Sequence, residues 1–327
     1  MDGSPQTKKS LALAAATSLI YAGILWVAFT KTTVPGFSMM SIAFLFAAPT
    51  ATGALVNYWA PDGERGSFLN LILLPSLFTL LPMSVAFLFK MEGLICLIMA
   101  FPAYILMASL GACAYYLCVR HKEEGYRRRG LGLFLFLPML VAPVEGGFGA
   151  VPRHAVTLDE IEIAAPVDAV WKQVIRVPRI GAGEIPWGLS RIMGFPDPVE
   201  ATLSHEGLGG VRRASFQGNV LFTETIDAWE ERRLLSFTIV PNTAEIPPTT
   251  MDEHMIVGGD YFKVLRGTYS LEDMGGGKTL LRLSSDHVAI TDFNAYAGLW
   301  GSIIMGDIQE RILKVIKARC EKAAPAT

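Results

Sequence analysis

The chain is 327 residues long, 51% hydrophobic and close to neutral, with 28 Lys and Arg against 30 Asp and Glu. Residues 1–150 carry only 17 of the 58 charged side chains, which excludes an ordinary water-soluble domain for that half. The second half has 18 basic and 23 acidic residues and no basic run interleaved with aromatics, so nucleic acid is not an expected partner. The expected organisation is a transmembrane helical domain over 1–150 and a water-soluble α+β domain over 151–327.

In chain order, Leu11 to Phe29, Phe37 to Trp59, Leu69 to Phe89 and Gly93 to Val119 are each at least 19 residues long and free of charge. At 1.5 Å per residue, 19 residues cover about 29 Å, the thickness of a bilayer core, so four membrane helices are expected. The first run follows Lys8 and Lys9, as a signal peptide would, but it exceeds a signal core in length. A fifth run, Leu131 to Val144, is short and holds Pro138 and Pro143; it reaches bilayer length only if Glu145 to Ala150 joins it. The basic loop from Arg120 to Gly130 and the N-terminal lysines belong on the cytoplasmic side by the positive-inside rule. With a fifth crossing, the C-terminal domain is extracytoplasmic, as for a bacterial inner-membrane protein with a cytoplasmic N-terminus. The first four spans hold no Asp, Glu, Lys, Arg or His, which favours an anchoring or lipid-facing role over an ion path.

Beyond residue 150 the pattern changes. Val156 to Ile163 alternates as a strand, Pro166 opens a helix with Val170, Trp171, Val174 and Ile175 on one stripe, and a short helix is expected over Ile185 to Met193. Six strands follow, at Val199 to His205, Val211 to Gln217, Val220 to Trp229, Arg233 to Val240, Phe262 to Glu272 and Lys278 to Val288. Gly-rich or charged turns join most of them, so antiparallel hairpins are expected. Phe293, Ala297, Trp300, Ile304, Ile308, Ile312, Val315 and Ile316 recur at spacings of three and four, giving a long helix over Asp292 to Lys322 with one apolar face. A curved antiparallel sheet wrapped on that helix is the expected architecture, with a cavity between them.

This order resembles the START-like, or SRPBCC, superfamily of helix-grip domains. The resemblance covers Thr157 to Ala323 and is carried by the run from Ile161 to Trp171 (IEIAAPVDAVW), by the hairpin Trp229 to Phe237 (WEERRLLSF) and by the Gly275-Gly276-Gly277 turn before Lys278. Helices followed by such a domain are also similar to membrane-tethered bacterial SRPBCC proteins. The resemblance implies a deep apolar cavity for a lipid or lipid-like metabolite, with transfer or sensing as the role. A polyketide cyclase or dehydratase type of enzyme is the alternative, and a protein-docking module is a third reading. Fold alone does not choose among them.

Strand alternation places Arg212, Ala214 and Phe216 on the inner face, with Phe222, Glu224, Ile226 and Ala228 on the next strand and Leu281, Leu283, Ser285 and His287 on the last. Arg212, Glu224 and His287 are thus the candidate polar handles, and Arg212 is the natural partner for a buried Glu224. Asp286 and His287 fall on opposite faces and form no dyad. The long stretch Pro241 to Tyr261 is expected to be a lid over the cavity or a contact to the bilayer, with Trp187, Met193 and Phe195 as the other lip of the entrance. The candidate ligand-binding set is Trp187, Phe195, Arg212, Phe216, Phe222, Glu224, Tyr261, Leu283, His287, Trp300 and Ile304. No nucleophile and base pair, phosphate loop or dinucleotide fingerprint is present, and the five scattered histidines lack ligand spacing, so neither metal nor cofactor is expected. Cys320 is the only cysteine after residue 150, which excludes a disulfide within that half.

Overall fold

The computed structural model describes residues 5–181, 183–242 and 261–323. They divide into two compact units: residues 1–151 with 291–293, and residues 152–290 with 294–327.

The first unit is helical. It contains α1 (Pro5–Lys31), α2 (Ala48–Trp59), α3 (Leu74–Leu88), α4 (Leu94–Val119) and α5 (Glu124–Gly146), with five-residue π-helical turns at Ala43–Ala47 and Leu69–Leu73 leading into α2 and α3. Among the described residues, four helices are long and apolar enough to cross a membrane: 8–31, 69–88, 94–119 and 124–146. This set departs from the sequence expectation twice. The fifth run reaches bilayer length by extending backwards through the arginines to Glu124, not forwards through Glu145 to Ala150. Within that extension Arg127 pairs with Asp62 at 2.7 Å and Arg128 with Glu124 at 3.2 Å. The expected span from Phe37 to Trp59 is helical only from Ala43. The first free N–H groups of that helix find side-chain acceptors: Ile42 and Ala43 donate to the Glu145 carboxylate at 2.7 and 3.1 Å, and Phe44 donates to Ser41 Oγ at 3.1 Å.

α2 lies at the centre of this unit, with residues 51–57 all buried. Small residues allow that position: a Cβ on Gly53 would overlap the Ala108 carbonyl of α4, and one on Gly111 would overlap the Thr50 carbonyl. Such close backbone approach is how helices associate where apolar burial gives no preference for a helix over lipid.

The second unit is a curled antiparallel sheet with a C-terminal helix, a helix-grip fold. Its strands are β1 (Arg153–Ile163), β2 (Pro198–Leu203), β3 (Val211–Phe216), β4 (Val220–Glu230), β5 (Leu234–Pro241), β6 (Phe262–Gly275) and β7 (Lys278–Ala289), in the order β1-β7-β6-β5-β4-β3-β2. Helices α6 (Val167–Ile175) and α7 (Leu189–Ile192) lie between β1 and β2, and α8 (Asn294–Ala323) closes the chain. The short helix expected over Ile185 to Met193 is therefore a single turn, flanked by Pro186 and by Gly194 at φ 91°. All three glycines of the β6–β7 turn, Gly275 to Gly277, have positive φ, a conformation that costs other residues strain.

The main core packs Val170, Trp171 and Val174 of α6 and Leu313, Ile316 and Cys320 of α8 against Leu235, Leu271 and Leu281 of the sheet. One expected face is corrected. A bulge at Asp227 shifts the alternation of β4 by one residue, so Trp229 packs into the core, its ring 5.0 Å from that of Trp171, where Ala228 was expected.

Candidate functional site

Between the concave face of the sheet, α8 and the segment leading into β2 lies a cavity of about 160 Å³. Its walls are mostly apolar, with Ala214, Phe216, Phe222, Phe237 and Leu283 from the strands and Met305, Ile308 and Ile312 from α8. Gly267 of β6 also lines it. A Cβ there would lie 2.6 Å from the Phe237 ring, so the glycine gives that ring its place in the wall.

Polar side chains interrupt the apolar lining, Glu200, Ser215, Tyr269 and Ser285 among them, and two further polar groups are held by defined partners. Arg212 and Glu224 face each other in register on β3 and β4, a pairing set by the tight Gln217–Asn219 connection, where Gly218 and Asn219 both take positive φ. Arg212 Nη1 donates to Glu224 Oε2 at 2.6 Å, with side chains only 5% and 9% exposed. The guanidinium carbon lies 5.2 Å from the centre of the Phe237 ring and 5.9 Å from that of Tyr269. Burial pushes the Glu224 carboxyl above its usual range, opposed by the charge and hydrogen bond of Arg212. Arg212 Nε is buried and has no hydrogen-bond partner. The second group is Gln309 of α8. With its amide oriented to satisfy both ends, it donates to Asp159 Oδ2 at 2.7 Å and accepts from Ser285 Oγ at 2.7 Å.

A side-chain clamp fixes the segment leading into β2, whose Phe195 and Pro196 line the cavity. Asp307 of α8 accepts from Leu189 N at 2.8 Å, Ser190 N at 2.9 Å and Ser190 Oγ at 2.5 Å, satisfying the exposed start of α7. One turn further on, Arg311 donates to Pro186 O at 3.0 Å and Ser190 Oγ at 2.8 Å and pairs with Asp197. Gly188 is required between them, since a Cβ would fall 2.6 Å from both Arg311 Cδ and Asp307 Oδ2. Three residues named in the clamp, Ser190, Asp197 and Arg311, are themselves buried.

Of the residues expected from sequence to bind ligand, Phe195, Arg212, Phe216, Phe222, Glu224 and Leu283 line the cavity together. Trp187, Tyr261, His287, Trp300 and Ile304 are not among its lining residues. Trp187 is 77% exposed, with the Arg191 guanidinium 4.5 Å above its ring. His287 does face inward and is buried, but against α8 beyond the cavity. Its ring is 5.3 Å from that of Phe262, its Nδ1 is 3.4 Å from Ser285 O, and Gly301 lies opposite. Ile304 is buried one position before the cavity-lining Met305, while Tyr261 and Trp300 are half-buried. The expected lid, Pro241 to Tyr261, falls for residues 243–260 outside the described residues. Sequence reasoning missed Phe237, Tyr269 and Gln309. Alternation along β5 and β6 pointed to the first two, and Gln309, a lone amide next to the apolar stripe of α8, pointed to the third.

No family model and no curated protein matches the chain. Solved structures do. Similar ones are the Zhui aromatase/cyclase from Streptomyces (19% identity, 54% of this chain and 100% of that one, TM-score 0.34), a START superfamily protein from Mycobacterium smegmatis (15%, 53% and 100%, 0.34) and truncated norcoclaurine synthase from Thalictrum flavum (13%, 51% and 94%, 0.33). These likenesses assign no activity. Strand order, the closing helix and the cavity between them define the class: a helix-grip domain with a pocket between sheet and helix, joined to a helical unit able to span a membrane.

Proposed function

We propose that the protein is a membrane-tethered binding protein for a hydrophobic small molecule, held in the cavity between the sheet and α8. The observation that carries this reading is the cavity itself: an apolar chamber with a buried, paired Arg212 and Glu224 in its wall. Pockets for small molecules are of this kind, apolar with a few placed polar groups that fix orientation. A docking module has no use for such a chamber. An enzyme of the cyclase or dehydratase type is the second reading, favoured by the upward push on Glu224 in an apolar site, where a carboxylate is poised as a general base.

The tether makes five crossings on this reading. Arg127, early in α5, pairs with Asp62 in the loop after α2, while Glu145, late in α5, receives the N–H groups that start the helix leading into α2. Residues 43–59 therefore cover the depth of α5, and 17 residues extend about 26 Å. Lys8, Lys9 and the arginines at 127–129 then share the cytoplasmic side, and the chain from Pro152 onwards lies on the other. A reporter fused after Thr327 should be active outside the cytoplasm and one inserted near Arg128 inside; activity inside from both contradicts this topology.

Native mass spectrometry of the full chain, extracted in mild detergent, tests the binding role. The expected result is a co-purified molecule of defined mass, released on unfolding. A chain carrying only detergent and bulk phospholipid counts against it.

A further inference from the structure

The closing helix changes character along its length. Residues 294–306 of α8 hold no charged side chain, whereas residues 307–323 hold eight. The exposed stripe changes with them. Ala295, Leu299 and Ile303 occupy it first, and Glu310 and Lys314, ion-paired at 2.6 Å, occupy it two and three turns beyond Ile303. Leu299 is 57% exposed and Ile303 41%, so neither packs into the core. Tyr296 and Trp300, half-buried, lie on the same turns. A helix apolar all round needs apolar surroundings, and a stripe that turns charged along one helix marks where those surroundings stop.

The chain connections identify those surroundings. α5, the last helix of bilayer length, ends at Gly146 and β1 begins at Arg153, seven peptide steps that reach at most about 25 Å when fully extended. The end of the sheet that carries Arg153 is therefore held near the membrane surface that α5 leaves, whatever the mutual orientation of the two units. α8 starts at that same end: Arg153 pairs with Ala289, the last residue of β7, Asn294 follows five residues later, and Gly301 packs on Phe262 and His287. Val240, near the end of β5, and Leu265, near the start of β6, are exposed there too. The opposite end of the sheet turns from β4 into β5 through Glu230, Glu231, Arg232 and Arg233 instead.

We infer that the first turns of α8, around Leu299 and Ile303, sit in the interfacial layer of the phospholipid bilayer that α5 crosses. Tyr296 and Trp300 are the aromatic types enriched at that level. An interfacial helix buries its apolar residues by about 5–10 Å, and Lys314, about 22 Å further along α8 than Leu299, stays in water. This contact requires α5 to cross the membrane, as proposed above, and does not depend on the binding role.

The test is photocrosslinking of the full chain in nanodiscs of phosphatidylethanolamine and phosphatidylglycerol, read by mass spectrometry of the intact protein and its peptides. The photoreactive residue p-benzoylphenylalanine replaces one position at a time: Leu299 or Ile303 in the contact, Lys314 on the same stripe, Met274 as an exposed apolar residue at the opposite end of the sheet, and Leu133 as an exposed residue of α5. Irradiation should add the mass of one phospholipid at Leu299, Ile303 and Leu133, and at neither Lys314 nor Met274. Lipid at Leu133 but at neither Leu299 nor Ile303, or cross-links from those two to protein in place of lipid, would overturn the inference and leave the tether standing. Equal lipid adducts at Lys314 and Met274 would overturn it as well, because contact would then follow exposure and not position. No lipid at Leu133 either would remove the crossing of α5 along with it. Because Leu299 and Ile303 are both exposed, a variant that fails to fold at one leaves the other to decide.

Discussion

Replacing Glu224 by Gln isolates the energetics of the buried pair. The substitution keeps the shape of the side chain and removes its charge, leaving Arg212, 5% exposed at the side chain and boxed by Phe237 and Tyr269, without a counter-ion. Breaking a buried pair by removing one partner costs on the order of 3–5 kcal/mol, whereas replacing both partners by apolar residues is often neutral or better. At a urea slope of about 2 kcal/mol/M, a loss of about 3 kcal/mol lowers the unfolding midpoint by roughly 1.5 M. The assay is urea unfolding of the full chain in mild detergent, followed by tryptophan fluorescence. Trp171 and Trp229, packed edge to face, report on the C-terminal unit. The Arg212→Met/Glu224→Leu double variant should recover at least half of the loss. A Glu224→Gln midpoint equal to that of the native chain would refute the argument, because it would mean that water reaches the pair and screens it.

Other consequences follow from single contacts. Gly267→Ala drives a methyl into the Phe237 ring at 2.6 Å and should cost about 1–3 kcal/mol in the same urea assay. Gly53→Ala places a methyl on the Ala108 carbonyl of α4, which cannot yield as a side chain would; size-exclusion chromatography in detergent should show loss of monodisperse protein. Burial holds the His287 imidazole below its ordinary value of 6.5, so the folded chain binds that proton less readily than the unfolded one. Stability from this group is complete above about pH 6.5 and is lost as pH falls below it. The drop in melting temperature between about pH 7.5 and about pH 5.5 should therefore be smaller in His287→Gln than in the native chain.

Much of the C-terminal unit was legible because one side of its sheet is buried. With one face against α8 and α6, each strand alternates, and a period of two in Arg212, Ala214, Phe216 or Leu281, Leu283, Ser285 reports that face directly. The same rule failed at Ala228 because a bulge carries no residue signature at Asp227; only the pairing with β5 exposes it. His287 was placed on the correct face but at the wrong end, since alternation says nothing about where along a strand the helix stops touching the sheet. The Asp307 and Arg311 clamp left a trace in the sequence, an acid and a base four apart on a helix, but that spacing is ordinary on solvated helix faces. What distinguishes it is burial by α7, a single turn with no periodicity to read. In the helical unit, hydropathy located apolar runs but not helix ends. Those depend on where free N–H groups find acceptors, and Glu145 serves Ile42 and Ala43 across about a hundred residues of chain.

The central claim is that the cavity under α8 is where the ligand sits, and filling it tests this most directly. Ala214 is buried and lines the chamber, so Ala214→Phe places a ring in space that a ligand of similar size would occupy. Native mass spectra of the native chain and this variant, prepared side by side and matched for folding by near-UV circular dichroism, should show the bound molecule on the first and none on the second. The same adduct on both proteins would contradict the account.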